Sequence, residues 1–163
     1  MLEFVSNQSF NLLNNKVLEE INEAKSLGIH TKPVVLGPVS YLMLGKEKSE
    51  GFHRLELLDN LVLVYAQLLE SLAEAGVSWM QMDEPYLVTD LNSNEKEAFR
   101  RAYHQLAKIP PKLRIILTTY FGELVDNLSL ATSLPVAALH VDLARCSHQL
   151  NAVVLLINWG RSA

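Results

Sequence analysis

Cysteine is nearly missing from this chain of 163 residues, with Cys146 the only one. A lone thiol rules out an intramolecular disulfide framework, and it gives a metal at most one thiolate, which excludes the cysteine-rich zinc modules. A dense Lys/Arg block is missing too. With 14 basic against 18 acidic residues, a net charge of −4 and a pI near 5.7, the chain lacks the electrostatic footprint of a nucleic-acid or anionic-membrane binder. Apolar runs are short: "LVLVYAQLL", from Leu61 to Leu69, falls well below the roughly 20 residues of a membrane span. The opening "MLEFVSNQSF" lacks the basic-then-apolar build of a signal peptide, and no Walker or dinucleotide glycine fingerprint occurs. A cytoplasmic protein without nucleic-acid or membrane partners is expected.

What the chain does have is 49% hydrophobic and 20% charged residues, enough for one globular domain over 1–163. Helical spacing of Leu13, Val17, Ile21 and Ala24 predicts a helix from Asn11 to Leu27, stopped by Gly28. A second helix is predicted over Phe52–Ala75, with Gly76 closing it. A third is predicted over Asn94–Ala107, capped by Asn94 with Glu97 three residues on and ended by "IPPK". A short helix is expected around Glu123–Ser133. Between these lie apolar runs that read as buried strands: "VVL" at Val34–Leu36, "VSWMQM" at Val77–Met82, "LRIILTT" at Leu113–Thr119 and "VAALHVDL" at Val136–Leu143. "AVVLLIN" at Ala152–Asn158 reads as a fifth strand, although about nine residues of connection are few for a parallel crossover. Strands alternating with helices predict an α/β fold of four to five parallel strands.

Each strand ends in polar or turn-forming residues: "LGP", "DEP", "TTY" and "HVD". In parallel α/β folds ligands bind at the carboxyl ends of the strands, so these loops converge on one mouth. Asp83 and Glu84 are adjacent, so on an extended chain they point to opposite faces and do not form a facing acid/base pair. One of them can face the mouth while the other caps a helix or binds a backbone amide. His140 and Asp142 flank Val141, and alternation sets both on one side, as a metal pair or a carboxylate-oriented histidine requires; a hydrogen-bonded pair without metal fits equally. Two such ligands fall short of the three or four that zinc takes. Tyr120, with Thr118 and Thr119, offers hydroxyls. The ligand-end candidates are therefore Asp83, Glu84, Tyr120, His140 and Asp142, with no residue assigned as catalytic or as a metal ligand.

The blocks "TKPVVLGPVSYLMLGK", "RLELLDNLVLVYAQLLESLAEAGVSWMQMDEPYLV", "LTTYF" and "LPVAALHVDL" resemble consecutive parts of the N-terminal domain of cobalamin-independent methionine synthase, 5-methyltetrahydropteroyltriglutamate–homocysteine S-methyltransferase. The resemblance runs from about Phe4 to Leu143. It implies a partial (β/α) barrel of the TIM type, taken from the middle of the first of two face-to-face barrels. It also implies methyl transfer from 5-methyltetrahydrofolate polyglutamate to homocysteine, with zinc held in the second barrel. Asp83 matches an aspartate that contacts the homocysteine amine in the catalytic copy. His140 matches the first zinc ligand there, but Val141-Asp142 follows it here, so the His-x-Cys thiolate is missing. The segment from 144 to 163 departs from the family pattern. The expectation is a chain inactive by itself, with no cofactor of its own, that forms a homo-oligomer or docks on a separate catalytic barrel. A non-catalytic module that binds folate or a small carboxylate is the alternative.

Overall fold

The computed structural model describes residues 2–13, 16–108 and 113–160, the last four as backbone only. Six strands and six helices alternate along them: β1 (Glu3–Phe4), α1 (Lys16–Ser26), β2 (Val34–Leu36), α2 (Pro38–Met43), β3 (Lys46–Glu47), α3 (Leu58–Glu74), β4 (Trp79–Asp83), α4 (Ser93–Leu106), β5 (Arg114–Thr118), α5 (Leu128–Ser133), β6 (Ala138–His140) and α6 (Gln149–Gly160). Single 3-10 turns at Arg54–Leu57, Pro85–Val88 and Val125–Asn127 lead into or out of the helices.

β2, β4, β5 and β6 form one sheet in that order, and every pairing is parallel. Right-handed crossovers that always step in one direction leave all the helices on one face of such a sheet. Burial follows this rule. Met80, Met82 and Leu117 are fully buried beneath the helices, whereas Trp79, Gln81, Asp83 and Ile116 on the opposite face are only half-buried. Val34 on that second face is 50% exposed. At the lower end of this face the guanidinium of Arg114 lies 4.1 Å above the Trp79 ring. The core on the covered face joins Leu42, Leu58, Leu69 and Leu72 to Phe99, Tyr103 and Leu106, each on the inward stripe of its helix.

Several sequence expectations change at this level. The run Ala152–Asn158 is not a fifth strand but most of α6. Its connection from β6 is too short for the usual crossover, and a helix satisfies its own backbone hydrogen bonds without one. The buried Gln149 anchors its first turn: its Nε2 donates to Asp142 O at 3.0 Å and its Oε1 accepts from Leu124 N–H at 3.4 Å. α1 begins at Lys16 rather than Asn11, leaving Leu13 81% exposed ahead of it. Residues 14–15, and the expected "IPPK" terminator at 109–112, lie outside the described residues. The stretch after Gly37, read as a loop, holds α2, started by Pro38 at its first position, and β3, which pairs with the N-terminal β1. Gly28 and Gly76 do follow their helices at φ 75° and 77°, the left-handed closure that glycine permits.

The cap of α4 also moves, to Asn92, because "NSNEKE" contains the capping-box spacing twice. Asn92 Oδ1 accepts Glu95 N–H at 3.0 Å and Glu95 Oε2 accepts Asn92 N–H at 2.8 Å. Replacing Asn92 by Ala is expected to cost about 1 kcal/mol in urea unfolding. Replacing Asn94 should cost less than about 0.5 kcal/mol; equal losses would contradict this cap.

Candidate functional site

Register brings four residues abreast at the carboxyl end of the sheet: Leu36, Asp83, Thr118 and His140. In parallel strands, partners in register share a face, so Asp83, Thr118 and His140 belong to the open one. Asp83 is half-buried there, and each of its oxygens accepts a hydrogen bond. Gln81 Nε2 reaches Oδ1 at 2.7 Å, Tyr120 OH reaches Oδ2 at 3.3 Å, and Lys32 Nζ donates in turn to Gln81 Oε1 at 2.6 Å. A line of polar groups, Lys32 to Gln81 to Asp83 to Tyr120, thus runs along the open face to the mouth. Burial, and then the Asp83 charge, push the Tyr120 hydroxyl above its ordinary range, so it remains a donor at neutral pH.

His140 is exposed, with Nδ1 3.2 Å from the carbonyl of Thr119. The strand ends at this residue, so the alternation expected to carry Asp142 onto the same side stops short of it. Asp142 instead lies buried in the next turn, where its carboxylate accepts Phe121 N–H at 3.0 Å, Arg145 N–H at 3.1 Å and the Arg145 guanidinium at 3.1 Å. Burial acts to raise its pKa, but the Arg145 and Phe121 hydrogen bonds outweigh that, and the carboxyl is held below its usual value. By fixing that amide, Asp142 supports Phe121 at φ 78°, a left-handed conformation rare for a bulky residue, with the ring 68% exposed beside Tyr120. Thr119 Oγ1 donates to His140 O at 3.2 Å, whereas the buried Thr118 Oγ1 has no hydrogen-bond partner.

Glu84 points the other way. It is fully buried on the helical side, where its carboxylate accepts Ser40 N–H at 2.8 Å and Tyr103 OH at 3.0 Å. The N-terminal turn of α2, which has no side-chain cap of its own, is thereby capped from 44 residues away. Burial pushes the Glu84 carboxyl up to about 7, although hydrogen bonds from Ser40, Tyr103 and Val39 pull in the opposite direction. Tyr103 is itself raised well above its ordinary value, first by burial and then by Glu84. Of the five candidates, Asp83 and Tyr120 are in direct contact, His140 and Asp142 frame the adjacent turn, and Glu84 is across the sheet.

A family model described as cobalamin-independent synthase, N-terminal domain, matches residues 2–158. The chain belongs to that family. Curated relatives named 5-methyltetrahydropteroyltriglutamate–homocysteine methyltransferase include one from Rhodopseudomonas palustris, 55% identical over 93% of this chain and 19% of its own length. Others come from Flavobacterium johnsoniae, 45% identical over 93% of this chain and 20% of its own, and Xylella fastidiosa, 48% identical over 98% and 21%. The chain spans about one fifth of the relatives it matches.

The zinc that this synthase resemblance implies does not fit these residues. Among the described residues no three His, Cys, Asp or Glu side chains converge as a metal set, and the Asp142 carboxylate is already occupied by Arg145 and Phe121. No helix among them is long and apolar enough to cross a membrane.

Sequence reasoning missed Ser40, Tyr103, Lys32 and Gln81 as partners of the two carboxylates. The one available signal was Gly37, in a turn just past a buried strand, because a Cβ there would overlap the Glu84 carboxyl. Gly37→Ala should therefore lower unfolding free energy by about 1–3 kcal/mol, as overpacking does. Gly122→Ala, whose Cβ would meet Val88 at an ordinary 3.7 Å, should stay within about 0.5 kcal/mol. Matching denaturant midpoints for the two variants would refute the close approach.

Proposed function

We propose that this chain is an arc of the N-terminal (β/α) barrel of a methionine-forming methyltransferase. In that assembly 5-methyltetrahydrofolate polyglutamate donates the methyl group and homocysteine accepts it. The observation that carries the reading is the family match over residues 2–158, together with relatives named for that reaction at 45–55% identity. In this reading the chain contributes scaffold and a ligand-end surface, and it does not turn over alone. The homocysteine thiol needs a metal to hold it as thiolate near neutral pH, and the donors for such a metal are supplied by a separate barrel.

The parallel order β2-β4-β5-β6, with one face of β4 buried and the other half-buried, supports an arc whose open face turns toward a barrel interior. The polar line ending at Asp83 and Tyr120 favours a second reading, in which the same surface binds folate or a small carboxylate without catalysis. Free edges at β2 and β6 favour association with a second copy or with a catalytic barrel.

The test is methionine formation from homocysteine and labelled methyltetrahydrofolate triglutamate with zinc present, using the purified chain with and without the remaining portion of a relative expressed separately. No methionine from the chain alone, and formation on mixing, is the expected result. Turnover by the chain alone would overturn the reading. Calorimetric binding of the folate to the chain alone, abolished in Asp83→Ala, would favour the non-catalytic binder.

A further inference from the structure

The loop after β4, residues 84–92, and the loop after β5, residues 119–127, are tied together by one side chain at the carboxyl end of the sheet. Asn127 is 3% exposed, and its Nδ2 donates to Leu87 O at 2.9 Å and to Thr89 O at 2.7 Å. Both of its N–H donors are used, and turning the amide over would set Oδ1 against two carbonyls. Oδ1 is thereby fixed as an acceptor, buried and without a hydrogen-bond partner. Buried acceptors are nearly always satisfied, so this one calls for a donor lodged beside it.

A pocket of about 240 Å³ lies between the same two loops, and Asn127 lines it. Val88, Leu91, Leu124 and Val125 give the pocket an apolar wall, while Asp90, Glu123 and Asp126 give it carboxylates. Glu123 is paired with His148 Nε2 at 3.0 Å, but Asp90 and Asp126 enter no ion pair among the described residues. Lys96, also in the lining, directs its Nζ to the Asp126 carbonyl at 3.4 Å. The charge left over is negative, which disfavours an anionic ligand. The acids do not converge as a metal set among the described residues either. This lining suits a ligand with N–H donors, positive charge and an apolar stem. None of Asp83, Thr118, Tyr120 and His140 lines the pocket, so it is separate from the open face of the sheet.

We propose that this pocket binds a short aliphatic diamine. One ammonium donates to Asn127 Oδ1, the methylenes lie along the Val88–Leu124 wall, and the second ammonium sits between the Asp90 and Asp126 carboxylates. Each part of the ligand meets a group that has no other partner: a buried acceptor, an apolar surface and two unpaired acids. The site stands independently of the methyltransferase reading.

The experiment titrates the isotope-labelled 163-residue chain with diaminobutane at physiological salt and reads its amide NMR signals. Saturable shifts are expected at the Asn127 side-chain amide and at the Val88, Thr89 and Val125 backbone amides, with Leu117 unmoved. Butylamine, which has a single ammonium, should bind roughly twofold to fivefold more weakly, and uncharged butanol should not bind. Asn127→Ala should weaken diaminobutane at least about tenfold. Asp90→Asn combined with Asp126→Asn should weaken it roughly tenfold, whereas Glu70→Gln, at an exposed acid of α3 outside the pocket, should leave it unchanged. Shifts that never saturate, that spread over acids outside the pocket, or that survive the double substitution overturn the site. So does a titration that moves the loop amides and leaves the Asn127 side chain still. If Asn127→Ala does not fold, the double substitution and the Asn127 side-chain signal decide.

Discussion

A single carboxylate, buried at the carboxyl end of an inner strand, links the sheet to two helices. Glu84 reaches α2 through Ser40 and α4 through Tyr103, and its volume is accommodated only because residue 37 has no side chain. An unpaired acid in such a place has a desolvation cost, and each donor aimed at it reduces that cost. Donors from Ser40, Val39 and Tyr103 are what make the burial tolerable, yet they leave the carboxyl near neutrality in its proton affinity. The close fit of the β2–α2 turn over β4 follows from that arrangement, and so does the position of everything attached to the turn. Tyr65 extends the same region by donating to Leu36 O at 2.6 Å, which ties α3 to the last residue of β2.

The two adjacent carboxylates divide their work by the geometry of a strand. Consecutive side chains leave a strand on opposite faces, so Asp83 and Glu84 cannot share a task even though they share a motif. Asp83 faces the side free of helices, where polar neighbours hold it within reach of solvent; Glu84 faces the packed side, where it acts as a cap. The division extends along β5 and its turn. Leu117 enters the core, while Thr118 shares a row with Asp83 and His140. The adjoining turn is fixed by Asp142, which holds the Phe121 amide in a strained conformation that nothing in the helical layer requires. Strain of this kind at strand ends accompanies functional surfaces, and here it projects an aromatic ring beside the Asp83–Tyr120 pair.

Much of this was legible in the sequence, and the failures have physical causes. The four sheet strands were readable because a parallel sheet covered by crossover helices needs apolar runs, as in Val34–Leu36 and the Ile115–Leu117 centre of β5. α6 was misread because "AVVLLIN" has β-branched composition. Which structure such a run adopts depends on whether the connection lets it reach a sheet edge, and composition carries no information about that. Asn92 and Asn94 both satisfy the same local rule, and only the reciprocal hydrogen bonds between Asn92 and Glu95 separate them. The roles of Asp83 and Glu84 could be split by alternation alone, but not assigned. Assignment required Tyr103 and Ser40, which lie 19 and 44 residues away and enter only through tertiary packing.

The open sheet face and the buried acid on its far side are connected by one peptide. The backbone that carries Asp83 into the open face also carries Glu84 into the core, and Gly37 is bonded to the carbonyl between them. That division of the two carboxylates holds in either functional reading of the open face, because it depends on the strand's alternation and on the missing side chain at Gly37, not on what the face binds.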